Sequence, residues 1–194
     1  AVRRWRRVHA AVRHLRARIA AEEIDCGASD RPELYLTGNM LDSAGLRAEA
    51  EARQAAGLPS RLIEAAPLGQ RFGITSGAAI LSSDTFIVDP VRLALGMLAR
   101  ARNKGATLCF PADIVGLEPL GDGWALRLGP SDRVTARLVI LATGYERPSW
   151  FLPTAFTVGS SYAIATQPGL APLRPDDETI WAMIWQAANP YFYV

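Results

Sequence analysis

Residues 134–147 read Val-Thr-Ala-Arg-Leu-Val-Ile-Leu-Ala-Thr-Gly-Tyr-Glu-Arg, and the fold turns on how they are read. A polar start, an apolar run from Leu138 to Ala142 and an abrupt stop at Thr143-Gly144 describe a central strand of an α/β sheet. Sheets of this kind bind ligands outside the carboxyl ends of their strands. Gly144 stands at that end, where a missing side chain lets a bound group approach the backbone. The same residues also describe a core strand closed by a turn glycine, and the stretch alone leaves the two readings level.

Upstream residues supply the context. Asp89 is a good N-cap, Pro90 suits the first helical turn, and Gly105 supplies a stop after Lys104. Between them Val91, Ala94, Leu95, Leu98 and Ala101 recur at helical spacing and predict one apolar face. Three short extended segments follow, near 107–110, 112–119 and 123–128, with the turn Gly121-Asp122-Gly123 between the last two and a polar turn from Pro130 to Arg133 after them. The predicted order is helix, strand, β-meander, then the strand ending at Thr143-Gly144.

That order, with its motifs, resembles the FAD-dependent oxidoreductases of the D-amino-acid oxidase and glycine oxidase superfamily. The matching pieces are Phe86-Ile87-Val88-Asp89-Pro90 with its helix, Ala112 to Leu117, and Leu138 to Glu146. Ser161 to Pro168, the ending Asn189-Pro190-Tyr191-Phe192-Tyr193, the helix at 2–21 and the strand Glu33 to Leu36 also fit. Each motif is moderately specific, and their collinearity over nearly the whole chain carries the resemblance. Members of the superfamily begin with a strand, a G-x-G-x-x-G turn and a helix whose N-terminus holds the FAD pyrophosphate. No such turn occurs in this sequence: Gly121 and Gly123 start the spacing, but position 126 is Leu. Members also continue past the equivalent of Val194. The expectation is therefore an internal piece of a longer enzyme.

The resemblance implies an α/β (α+β) fold: part of a FAD-binding Rossmann-like domain plus part of an antiparallel-sheet substrate domain. Residues 1–29 would form a helix at the boundary between them, 30–75 and 149–194 the substrate-domain segments, and 76–148 the FAD-binding segment. It implies FAD as cofactor, with Val115 as a backbone contact to the adenine end and Ala142, Thr143 and Gly144 approaching the cofactor at their strand end. Tyr191 and Tyr193 lie on a strand that in relatives lines the substrate side. Alternation puts both on one face, so they are either substrate contacts or core aromatics. The family oxidises an amine or amino-acid C–N bond to an imine, which implies a small-molecule amine or amino acid as partner. The catalytic residues cannot be read from this sequence.

Composition agrees with a globular segment: 194 residues at 49% hydrophobic suffice for a core. The apolar stretches are too short or interrupted to span a membrane, no secretory signal peptide is visible, and the expected location is the cytoplasm. Cys26 and Cys109 are too few and too far apart for a disulfide framework or metal knuckle. Cys109 lies in the apolar run Thr107 to Phe110 and reads as a buried structural thiol.

Charge is uneven. Residues 1–20 hold seven arginines and no acid, which leaves 14 of 21 basic residues against 19 acids, or about −5, for the rest. An arginine-rich helix raises a nucleic-acid or anionic-surface hypothesis, and an acid-poor amphipathic segment raises a mitochondrial presequence. Yet Val2, Trp5, Val8, Val12, Leu15 and Ile19 step by three or four, the stripe of a helix docked on a protein core with a solvated arginine face. Neither nucleic acid nor membrane is therefore expected as a partner. His9 and His14 fall on different faces of that helix, no further ligands lie nearby, and no metal site is expected. No G-x-S-x-G turn or carboxylate pair points to hydrolysis. A flavoprotein-like subunit without catalysis stays open as an alternative.

The remaining map places a helix at about 41–56, strands near 33–37, 61–64, 77–81 and 85–88, and a helical turn to Phe72. Further strands are expected near 157–167, 180–185 and 191–194, after a helical turn from Pro148 to Phe151.

Overall fold

Short alternating stretches build the largest sheet of the computed structural model, which describes residues 2–130, 132–144, 159, 162–164 and 182–193. The chain divides into two compact units: Ala1–Ala106 with Gly169–Val194, and Thr107–Pro168.

The first unit opens with α1 (Val2–Ala21), followed by β1 (Ser29–Asp30), β2 (Glu33–Leu36), α2 (Ser43–Ala55) and β3 (Ser60–Glu64). Next come α3 (Ala65–Phe72), β4 (Ala78–Ser82), β5 (Phe86–Ile87) and α4 (Pro90–Asn103), and β9 (Met183–Gln186) closes the unit. The sheet order is β3-β4-β2-β9; β3-β4 and β4-β2 are antiparallel and β2-β9 is parallel. Leu34, Ile63 and Ala79 turn to one face, where Leu68 and Phe72 of α3 cover them. Ala78 and Ile80 turn to the other, under Leu46 and Ala50 of α2. Period-two alternation thus feeds two cores from one sheet. β4, placed with the FAD-binding segment by the sequence reading, is hydrogen-bonded on both sides within this sheet.

Helix ends follow their caps. Asp42 accepts from the Gly45 N–H at 2.8 Å, and Asp89 accepts from the N–H groups of Val91 and Arg92 at 2.9 and 3.0 Å. Gly73 ends α3 in the left-handed region at φ 65°, which glycine adopts without the clash of a Cβ.

A third cluster joins Ile19, Ile24 and Cys26 to Leu93 and Met97 of α4. The apolar face predicted for α4 is not the face that meets the core. Val91, Leu95 and Leu98 are exposed, and the Leu93-Met97 edge meets the core instead. Apolar residues occur on both sides of the helix, and among the described residues only one side is covered. The α1 stripe is likewise docked at one end: Ile19 is buried, whereas Val2, Trp5, Val8 and Leu15 are exposed. Arginine assists the docking, since Arg6 donates to the Ala56 carbonyl at 2.9 Å and Arg16 pairs with Asp30 at 2.6 Å.

The second unit is a meander of β6 (Gly116–Leu120), β7 (Gly123–Arg127) and β8 (Arg133–Ala136), antiparallel throughout, with Ala125 buried at its centre. Gly121 makes the predicted turn at φ 55°. Three expectations fail in this unit. Residues 107–110 form no strand, and Cys109 is exposed. The strand predicted to run through Ala142 stops at Ala136, where pairing with β7 ends. Leu138 and Ile140 are 75% and 80% exposed, because among the described residues no strand lies beside 138–144 to hydrogen-bond with it and cover it. The strand expected near 157–167 falls largely outside the described residues; 162–164 are exposed and not in a strand. The helical turn expected from Pro148 to Phe151 lies outside the described residues.

Candidate functional site

An aromatic shelf occupies the part of the four-stranded sheet that α2 leaves uncovered. Register places Tyr35 opposite Trp185, so both rings stand on the face where α2 lies over β3 and β4. After β9 the chain turns back, and the Gln186 N–H donates to the Phe192 carbonyl at 3.0 Å. That return stacks Tyr191 and Tyr193 on Trp185, with ring centroids 6.0 and 5.2 Å away. Both tyrosines are half-exposed, so they are surface aromatics and not core residues.

The loop after β2 fixes the shelf from beneath. Asn39 donates to the Asn189 carbonyl at 3.0 Å and accepts from the Asn189 N–H at 2.8 Å, while the Met40 N–H donates to the Ala187 carbonyl at 2.9 Å. A Cβ at Gly38 would stand 2.3 Å from the Ala187 oxygen, so only glycine allows this approach. Tyr35, Met40, Leu41, Trp185 and Tyr191 line an open recess of about 480 Å³ together with 186–188. The recess has phenols and a carboxamide but, among the described residues, no carboxylate, imidazole or thiol. It can shape and orient an apolar or aromatic group; it offers no ordinary general base at neutral pH.

The four cofactor candidates lie in the second unit. Val115 leads into β6 and is exposed, its N–H donating to the Arg127 carbonyl at 2.8 Å. Ala142, Thr143 and Gly144 follow the meander in irregular, exposed backbone, and no hydrogen bond joins them to Val115 among the described residues. Gly144 has φ 61°, and nothing stands within 4 Å of the place a Cβ would occupy. Among the described residues Gly144 thus stands in an exposed turn of left-handed backbone.

Sequence reading missed Trp185, the ring on which both tyrosines rest. Its signal was the parallel register of β2 with β9, two strands about 150 positions apart. Among the described residues no group of three or more His, Cys, Asp or Glu could hold a metal ion, and no helix is long and apolar enough to cross a membrane.

The sequence model of the FAD dependent oxidoreductase (DAO) family matches residues 1–194. The chain belongs to this family. Its fold is similar to that of glycine oxidase from Geobacillus kaustophilus, with a TM-score of 0.55 at 18% identity over 69% of this chain and 36% of that one. It is also similar to L-proline dehydrogenase from P. horikoshii, with a TM-score of 0.51 at 17% identity over 62% and 33%. L-amino acid deaminase from Proteus vulgaris, with its specific insertion deleted, gives 0.50 at 21% identity over 61% and 33%. The chain spans about a third of the length of these solved relatives. Comparison with curated proteins found no match. The mixed helix and sheet architecture, with one mixed sheet and two antiparallel ones among the described residues, is similar to that of FAD-binding DAO folds.

Proposed function

We propose that residues 1–194 work within a FAD-dependent oxidoreductase that oxidises the C–N bond of a small amine or amino acid. The family match over the whole chain carries this reading. The names of the solved relatives, glycine oxidase, L-proline dehydrogenase and L-amino acid deaminase, all point to amino acids and support the substrate class. When bound, FAD would supply the hydride acceptor and pass the electrons on to oxygen or another acceptor.

The chain's own residues have two tasks in this reading. Val115, through its backbone, holds the adenine end, and Ala142, Thr143 and Gly144 let the cofactor approach a turn free of side-chain bulk. Tyr191 and Tyr193, braced on Trp185, form the substrate side and present an aromatic wall that excludes water and orients an apolar group. Segments 30–75 and 149–194 belong to the substrate domain and 76–148 to the FAD-binding domain, with β4 shared in hydrogen bonding with the former. The expected compartment is the cytoplasm. Replacing Trp185 with Ala removes the brace. The full-length protein should then lose kcat/KM for its amino-acid or amine substrate while retaining its flavin. Unchanged kcat/KM would remove the aromatic shelf from the substrate side.

A further inference from the structure

One row of side chains breaks the apolar pattern of the four-stranded sheet. Glu33 is in register with Ser82, and Ser82 with Ser60, so three polar side chains lie abreast across β2, β4 and β3. They share the face of Tyr35, Ile80 and Leu62, two residues further along each strand. Strand spacing puts Glu33 and Ser60 about 10 Å apart across Ser82. Trp5, Val8 and Val12 of α1, with Leu58 and Pro59, wall a cavity of about 170 Å³ over this row.

Most charged groups around the cavity are already paired. His9 Nε2 lies 2.8 Å from Asp84 Oδ2, and Arg53 Nε donates to Glu49 Oε1 at 2.9 Å while its guanidinium lies 5.2 Å from the Trp5 ring centre. Two groups are not. The Ser60 Oγ is buried and has no hydrogen-bond partner. Glu33 is half-buried and makes no side-chain hydrogen bond or ion pair among the described residues, and burial holds its carboxyl above the ordinary carboxylate range despite the pull of Arg53. Buried polar groups left unpaired are costly, and a cavity walled by apolar rings with such groups at its floor is the makeup of a ligand site.

We propose that this cleft binds a small primary amine with one aromatic ring, its ammonium on Glu33 and a hydroxyl at the far end of the ring on Ser60. An ammonium has three donors and no acceptor, which suits an unpaired carboxylate. A phenol both donates and accepts, which suits a lone serine hydroxyl. The size agrees, since a cavity of roughly 150 Å³ takes a benzene ring. The Glu33 carboxylate turns away anions of the same shape. Every group of the cleft lies in the first unit, and none of the flavin or shelf residues takes part except through Tyr35, which neighbours Arg53.

Isothermal titration of the full-length protein carrying residues 1–194 with tyramine and with phenethylamine tests this directly. Saturable binding that survives Tyr191→Phe is expected, tighter for tyramine. Glu33→Gln should weaken tyramine at least tenfold without lowering Tm, and Ser60→Ala should erase tyramine's advantage over phenethylamine. Tyr191→Phe, in the aromatic recess, should change neither affinity, which separates this cleft from the proposed substrate side. Should Glu33→Gln reduce Tm, Val12→Phe, which fills the cleft from α1, must still block both amines. Absence of saturable binding at millimolar concentration overturns the proposal. So does unchanged affinity in both Glu33→Gln and Val12→Phe, or binding that responds to Tyr191→Phe instead.

Discussion

At Gly144 the backbone adopts a left-handed φ of 61° with open space where a side chain would project. Gly144→Val in the full-length protein should remove most of the bound flavin, but valine also strains that backbone. Asn tolerates the left-handed region, so Gly144→Asn should keep Tm close to that of the parent and still lose flavin. Full flavin content in the Asn variant would show that Gly144 faces away from the cofactor. Glu33 gives a second test, through pH. Burial raises its folded-state pKa above the ordinary 4.5, so the folded chain holds the proton more tightly than the unfolded one. Below pH 4.5 both states are protonated and no penalty applies. As pH rises through 4.5 the unfolded chain ionises first, and stability falls until the folded pKa is passed. Glu33→Gln should therefore raise Tm at pH 7 and lose that advantage by about pH 4. An equal gain at every pH would put the cause elsewhere. The sequence places Glu33 at the start of a predicted strand and Ser60 just before another. Their alignment across Ser82 depends on register among three strands, which no local pattern encodes.

Elements were legible where a cap or a period spoke locally. Asp89 starts α4 and Gly121 turns the meander as the sequence predicts, while Asp42 capping α2 and Gly73 ending α3 follow the same chemistry without having been singled out. Asp89→Ala removes two hydrogen bonds to the first turn of α4 and should cost about 0.5–2 kcal/mol in a denaturation experiment. A large change in substrate preference with no loss of stability would give Asp89 a different role. Gly38→Ala tests the loop under the shelf. A Cβ there meets a backbone oxygen that cannot swing aside, so Tm should drop by the equivalent of roughly 1–3 kcal/mol. An unchanged Tm would mean that the Asn39–Asn189 pairing is dispensable. Elements were illegible where burial comes from distant partners. The run from Leu138 to Ala142 has a buried strand's composition but no neighbour among the described residues, and the strand that forms, β8, takes its polar start instead. The stripe of α1 behaves similarly: spacing predicts a docked helix, yet Ile19 alone is buried, and Arg16 pairs with Asp30 and Asp84 at that end.

Across the whole molecule, apolar side chains stand open in both units: Val91 and Leu95 on α4, and Phe110, Leu138 and Ile140 in the second unit. Residues 1–194 contain no G-x-G-x-x-G turn and so lack the backbone N–H groups that hold a pyrophosphate at a helix N-terminus. Expressed alone, they should hold FAD weakly, oxidise no amine, and associate through the open apolar surface. Light scattering with an FAD titration checks this, and a monodisperse sample binding FAD at micromolar or tighter affinity would refute it. Collinear motifs let the sequence identify the family, because order survives where single motifs are weak. Flavin-dependent oxidation of a C–N bond, proposed above, is tested most directly by the visible absorption of the full-length protein. Purified protein should carry flavin bands that bleach when a panel of amino acids and amines is added without oxygen, and Gly144→Asn should remove the bands. Colourless protein that takes up no added FAD, or bound flavin that no member of the panel bleaches, would contradict the account.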